Sequence, residues 1–237
     1  MNMFLRQSPL FKTAMLSMAL TASAASWGTG MIPESSVVIL EESDSETSMN
    51  VTNTDGSPAL LITTIKGIDS DSEKLLLVSP PAIRVDGGKV QKVRFMLTSK
   101  KTLKTERLRR VVFSGIPLQS KGKNEVRMSV SQNLPVLIRP AGLARDEAPW
   151  KRLSWKMNGG SLTVSNDSPY VVRLAQGVQT LPDNGQWILP QSYILPGEHI
   201  ILQRKDDKKG GAAQQVRISP ATTWGYSVYT WDAALAK

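Results

Sequence analysis

The 237-residue chain contains no cysteine and a single histidine, His199. The first absence removes disulfides, thiol catalysis and cysteine metal sites, so the fold has to be held by its apolar core alone. The second leaves hydrolytic chemistry short of a positioned base. A lone histidine directly after Leu195-Pro196-Gly197-Glu198 reads as a surface or strand-packing residue. Gly-x-Ser-x-Gly is missing, no glycine-rich phosphate loop follows a strand, and no His and carboxylate cluster has metal-ligand spacing. The sequence therefore predicts no enzyme, no cofactor and no metal. Helical periodicity is almost lacking, and no apolar run reaches the roughly 20 residues that a membrane span requires.

What is present begins with an export signal. Arg6 and Lys12 precede an apolar run from Ala14 to Leu20 and the small residues Ala22, Ser23 and Ala24, which predicts a cleaved signal peptide over residues 1–25 and a soluble mature protein outside the cytoplasm. The formal charge is +9, and removing Arg6 and Lys12 leaves +7 (9 − 2 = 7). Once exported, such a chain does not meet nucleic acid, but its charge favours an anionic group such as a protein carboxylate. The acidic stretch Glu41 to Glu46 lacks the alternation and glycine of a calcium loop and reads as a solvated hairpin. Lys205 to Gly211 reads as a second solvated hairpin.

Short runs of β-branched and apolar residues recur between turn residues, the pattern of an all-β sandwich. The first half offers strands at Val37 to Leu40, Ser48 to Thr52, Ala59 to Ile65, Leu75 to Val78, Val90 to Leu97, Arg109 to Phe113 and Val126 to Ile138. The pattern breaks between Pro140 and Trp150 and resumes at Leu153 to Met157, Ser161 to Ser165, Tyr170 to Gln176, Gln186 to Leu189, His199 to Arg204, Gln214 to Ile218 and Gly225 to Trp231. This predicts two immunoglobulin-like β-sandwich domains at an angle, over residues 26–141 and 142–237, with a cleft between them. The tryptophans of the second half are expected in its core.

Asn124 to Ile138 is the most informative stretch. Val126, Met128 and Val130 alternate with Arg127, Ser129 and Ser131, and the apolar series resumes at Leu134, Val136 and Ile138. At about 15 residues it is far longer than an ordinary strand. It also holds Pro135, which cannot donate to a ladder and so marks an edge or a bulge. A long apolar edge strand is an aggregation hazard unless it serves to pair with a partner.

The same stretch, continued to Pro140 as NEVRMSVSQNLPVLIRP, resembles the last strand of the first domain in pilus-assembly chaperones of the PapD type. Ser79 to Phe95 (SPPAIRVDGGKVQKVRF), Glu106 to Pro117 (ERLRRVVFSGIP), Leu162 to Tyr170 (LTVSNDSPY) and Leu195-Pro196-Gly197 are similar to further segments of that family, in the same order. The resemblance implies a periplasmic chaperone that lends a strand to an incomplete pilus or fimbrial subunit and delivers it to an outer-membrane usher. Val126, Met128, Val130 and Leu134 would then enter the subunit. The exposed edge would also permit self-association. The competing expectation is an exported adhesin or carbohydrate-binding sandwich.

The resemblance also exposes a gap. The best-known branch of the family anchors the subunit's terminal carboxylate with an Arg on the first strand and a Lys on the donor strand. Here those positions fall on Val37 (or Ser36) and Pro135. Likeness to the alternative and archaic branches points instead to Arg110 and Arg139 as anchors, with Arg109 as a near competitor. For Arg139 a domain-linking ion pair with Asp146 or Glu147 is the other expectation.

Overall fold

The computed structural model describes residues 30–99, 101–118, 130–205, 212–226 and 228–236. The predicted signal peptide lies outside these residues. So do Val126 and Met128.

Among the described residues the first sandwich has nine strands: β1 (Met31–Pro33), β2 (Val38–Glu41), β3 (Glu46–Asn53), β4 (Ala59–Lys66), β5 (Leu76–Ser79), β6 (Ala82–Val85), β7 (Val90–Leu97), β8 (Arg107–Pro117) and β9 (Ser131–Arg139). One sheet has the order β1-β3-β7-β5, the other β2-β9-β8-β4-β6. The inner faces alternate as a two-residue period requires. Met49 and Val51, Val93 and Phe95, Val111 and Phe113, and Val136 and Ile138 meet in one core, with Phe95 edge-on to Phe113 at 6.4 Å.

Seven of these strands lie at or near the positions expected from sequence, and β1 and β6 are additional. Three-residue β1 is too short to show a period, and β6 directly follows Pro80-Pro81, which reads as a turn. The expected strand Val126 to Ile138 is described only from Ser131, and Val130 precedes it in non-strand conformation.

A second core gathers Trp150, Trp155, Leu162, Val164, Trp187 and Ile218, among others. Its strands include Ser154–Asn158, Val172–Leu174, Pro220–Ala221 and a final Trp231–Ala236. That last strand starts where the expected Gly225 to Trp231 strand was to end. Residues 222–226 and 228–230 are instead irregular and carry the exposed Trp224, Tyr226 and Tyr229, so the aromatic residues of this half are only partly core.

The segment 140–148 is irregular, as expected, and leads into a short 3-10 turn at Pro149–Arg152. Between the two cores lies a small apolar contact of Ile68, Leu108, Leu137 and Val171, flanked by Tyr193 and Leu195. Polar links cross beside it. Glu106 N–H donates to the Pro169 carbonyl at 2.8 Å, and the Glu106 carboxylate accepts Val171 N–H at 2.9 Å.

Candidate functional site

Strand β9 has two unlike halves. Its antiparallel partner β8 runs along the whole of it, from Arg107 opposite Ile138 to Ser114 opposite Ser131. On the other edge β2 pairs in parallel with Val136 to Arg139 only. Among the described residues, the edge from Ser131 to Pro135 therefore has no neighbour. Burial follows pairing: Pro135 to Arg139 are buried, while Ser131 and Asn133 are exposed. Val136, Ile138 and Leu134 lie on the face that fills the first core, and Val130, on the same parity, is 46% exposed.

The three arginines expected as anchors occupy very different surroundings. Alternation along β8 turns Arg109, with Val111 and Phe113, toward the inner face, and turns Arg110, with Leu108, toward the second domain. Arg109 is 1% exposed. Its Nη1 and Nη2 donate to the two Asp71 carboxylate oxygens at 2.8 Å each, while Nε and Nη2 reach the Glu73 carbonyl and Nη1 reaches that of Leu108. A guanidinium has five N–H donors, and all five are used. Burial pushes the Asp71 carboxyl up, but hydrogen bonds from Arg109 and Arg107 outweigh it and hold it below the ordinary range. Arg109 is a structural residue, which corrects its expected role as an anchor.

Arg139 is likewise committed. Its Nε donates to Glu106 at 3.1 Å and its Nη1 to Glu41 at 2.9 Å, with Nη2 directed at the Leu143 and Ala144 carbonyls. It is 4% exposed, as is Glu106. Because Glu106 also holds Val171, Arg139 belongs to a polar joint between the domains, and this replaces the expected anchor role. The joint uses Glu41 and Glu106 where Asp146 or Glu147 was expected. Burial pushes the Glu106 carboxyl up by more than Val171 N–H and Arg139 pull it down. The neighbouring Glu42, expected in a solvated hairpin, accepts Leu103 N–H and Ala141 N–H at 2.8 Å each.

Arg110 differs from both. Its Nε donates to Asn133 Oδ1 at 2.9 Å and its Nη2 to the Asn133 carbonyl at 2.7 Å, and no carboxylate faces it among the described residues. It lines a cleft cavity of about 310 Å³ together with Pro135, Tyr193 and, from the second domain, Arg173, Ala221 and Val228. Burial lowers the pKa of Arg110, and burial together with the Arg110 charge lowers that of Arg173. Arg173 Nη1 is buried without a hydrogen-bond partner. Two partly desolvated cations without an acid form a site that favours an anion. A larger crevice between the domains, about 480 Å³, is lined by Asp71, Glu106 and Glu198 against one cation, Arg107. Its acidic walls oppose a carboxylate.

Arg173 was missed from sequence, since nothing local marks it. In space, however, it lies close to the vacant first-strand position: a Cβ on Gly225 (φ +85°) would collide with Ser36 Oγ and lie 3.8 Å from Arg173 Nη1. Arg110 is in turn the cross-strand neighbour of Pro135. The two positions at which Val37 or Ser36 and Pro135 cannot pair with a carboxylate are thus each flanked by an arginine from another element. Val37 itself is buried.

The chain is thus a pair of β-sandwiches with an unpaired stretch of edge strand beside a cationic cleft. The chain belongs to the pilus-assembly chaperone family of the PapD type. The family model described as "Pili and flagellar-assembly chaperone, PapD N-terminal domain" matches residues 30–144, and "Pili assembly chaperone PapD, C-terminal domain" matches residues 148–229. The uncharacterized fimbrial chaperone YhcA of Escherichia coli K12 is 39% identical over 87% of this chain and 91% of its own length. Chaperone protein MrkB of Klebsiella pneumoniae is 23% identical over 83% and 94%. Among solved structures, the Salmonella enterica SafB chaperone in complex with SafA pilin superposes with a TM-score of 0.70 at 19% identity, covering 89% of this chain and 99% of that one. Escherichia coli DraB gives 0.70 at 20% identity, covering 87% and 99%. The protein is a pilus-assembly chaperone of the periplasm, in a family of chaperones and not of enzymes.

Proposed function

We propose that the protein captures pilus or fimbrial subunits by donor-strand complementation and delivers them to an outer-membrane usher, with the subunit's terminal carboxylate held in the cleft. The observation that carries this reading is the free edge from Ser131 to Pro135, which stops where β2 begins and beside the cavity of Arg110 and Arg173. A subunit strand that runs parallel to β9, as β2 does, lines up end to end with β2 and finishes against Ser36 and Val37. Its carboxylate then lies between the Arg110 and Arg173 guanidiniums. Main-chain hydrogen bonds supply affinity in such an augmentation, and every second side chain supplies specificity.

Val130 belongs to the inserting series, together with Val126 and Met128, whose parity is set by sequence; Leu134, expected in that series, packs against the chaperone's own first core instead. The same edge accommodates a second copy of the chaperone when no subunit is present. The reading gives the chain no catalytic role: His199 is exposed and shares a 2.7 Å hydrogen bond with Ser165.

The test compares adjacent residues. Met128→Asp directs a carboxylate into the subunit's groove, at a cost of several kcal/mol for an unpaired buried charge. Ser129→Asp directs the same charge to the opposite face. Soluble subunit recovered per folded chaperone after periplasmic co-expression should collapse for the first and largely persist for the second. Equal recovery from two equally stable variants refutes strand donation in this register.

A further inference from the structure

The cavity holds more than two cations. Arg173 lies in the strand Val172–Leu174, paired with Pro220–Ala221, so that Ala221 stands directly across from it. Beyond Arg173 the second domain lines the cavity mainly with apolar residues, Leu174, Ala175, Pro220, Ala221 and Val228, interrupted by Ser192, Tyr193 and Ser219. Arg110 and Pro135, from the first domain, stand at the place where the donor edge ends. The cavity thus combines two cations, one from each domain, with a mostly apolar second-domain wall.

A terminal residue whose carboxylate lies between Arg110 and Arg173 has its side chain on the same α-carbon, one bond away. It cannot point back along β9, because that direction is taken by the chain that leads to it. We propose that the second domain reads the identity of the subunit's last residue, with the wall of Leu174, Ala175, Pro220, Ala221 and Val228 selecting an apolar side chain. This rests on the carboxylate reading above. It assigns to the second domain a part in choosing the subunit, through a site that exists only while the two domains keep their mutual position. The joint of Glu41, Arg139 and Glu106 maintains that position.

The physical basis is the transfer of apolar surface from water, where each buried methylene gives about a fourfold gain in affinity. A leucine side chain should therefore outbind glycine by at least about tenfold. Asparagine, similar in size, should gain less, because most of the wall is apolar and its amide carries a desolvation cost.

The probes are synthetic heptapeptides of sequence Thr-Val-Thr-Val-Thr-Val-Xaa, titrated calorimetrically into the mature two-domain protein. Xaa is Leu, Asn or Gly with a free carboxylate, or Leu with an amidated end. Leu should bind about tenfold or more tighter than Gly or Asn. Ala175→Phe fills the cavity from an exposed position, and Ala221→Phe fills it from within. Each should bring Leu down to the level of Gly without lowering the melting temperature appreciably. A flat series, whether all peptides bind alike or none binds, overturns the proposal. Leu, Asn and Gly binding alike while amidation abolishes binding removes the selective pocket and leaves the carboxylate site standing. A Leu preference that survives amidation and is lost in Ala175→Phe keeps the pocket and removes the carboxylate site.

Discussion

Arg109 and Arg110 are adjacent in β8, yet one is bound up in an ion pair of the first domain and the other has no acid facing it among the described residues. Arg109 lies under the 71–73 segment with every donor matched, and its charge is met by Asp71. Arg110 faces the second domain, is held in place through Asn133, and shares its cavity with another cation, Arg173, whose Nη1 has no partner. A folded chain usually neutralises a buried charge, because leaving it bare costs several kcal/mol. Arg110 and Arg173, side by side and without an acid, depart from that pattern, which is what the proposed carboxylate site would require. The same division runs along β9, which is paired and buried from Val136 onward and open before it.

The sharpest way to break this comparison is to delete each arginine in turn. Arg109→Ala leaves the Asp71 carboxylate without its main partner and two backbone carbonyls without donors. Stability should fall by about 3 to 5 kcal/mol, read as a lower urea midpoint at unchanged slope. Arg110→Ala removes a cation that has no acid and relieves its repulsion of Arg173, so stability should stay level or rise slightly. Equal losses from the two variants would mean that the two sites are alike and that the cleft is an ordinary structural pocket.

A smaller effect, in binding and not in stability, sharpens the other side. Arg110→Ala and Arg173→Ala should each weaken subunit capture about 10- to 100-fold, the range expected for losing a charge-assisted hydrogen bond of about 1.5 to 3 kcal/mol. Lysine at either position should restore only part of it, since the ammonium lacks the planar fork. If both arginines grip one carboxylate, the double variant should lose less than the sum of the singles, and a double-mutant cycle measures that coupling. Strict additivity would place the two arginines on different ligands.

Much of this was legible in the sequence, but in unequal parts. The seven main strands of the first sandwich follow from two-residue alternation, and the split between Arg109 and Arg110 was open to the same reading. Val111 and Phe113 mark the odd positions of β8 as inner, so Arg109 had to be inner as well and Arg110 outer. What the sequence left open is whatever depends on two distant segments meeting. Arg139 pairs with Glu41 and Glu106, at separations of 98 and 33 residues, and not with the nearby Asp146 or Glu147. Arg173, alone among apolar neighbours in a three-residue strand, gains its meaning only from the approach of Ser36 and Arg110. The strand-like run Tyr226 to Trp231 misleads in the same way, since Tyr226 and Tyr229, aromatic residues that favour strands, stand exposed outside any strand.

The smallest expected effect concerns pH, and it tests whether the carboxylates facing the satisfied arginines differ in kind. Asp71 has its pKa held down by Arg109 and Arg107 against the opposing effect of burial, so the folded protein binds a proton there less readily than the unfolded chain. Its contribution to stability is complete above the unfolded value near 4 and is lost as pH falls through the lower folded value. Glu106 is the reverse, because burial raises its pKa: the folded state keeps the proton longer, and stability declines as pH rises from about 4 through the folded value. Urea titrations from pH 3 to pH 7 should therefore separate Asp71→Asn, which flattens the acid-side loss, from Glu106→Gln, which flattens the decline on the other side. Each removes at most the slope of one proton, about 1.4 kcal/mol per pH unit, so the variant must be compared with its parent and not with zero. If both variants flatten the same limb, the Arg139 joint is a fully satisfied ion pair like that of Arg109. The domains would then be held by charge as firmly as the 71–73 segment is, and the cleft would keep its shape across the whole range.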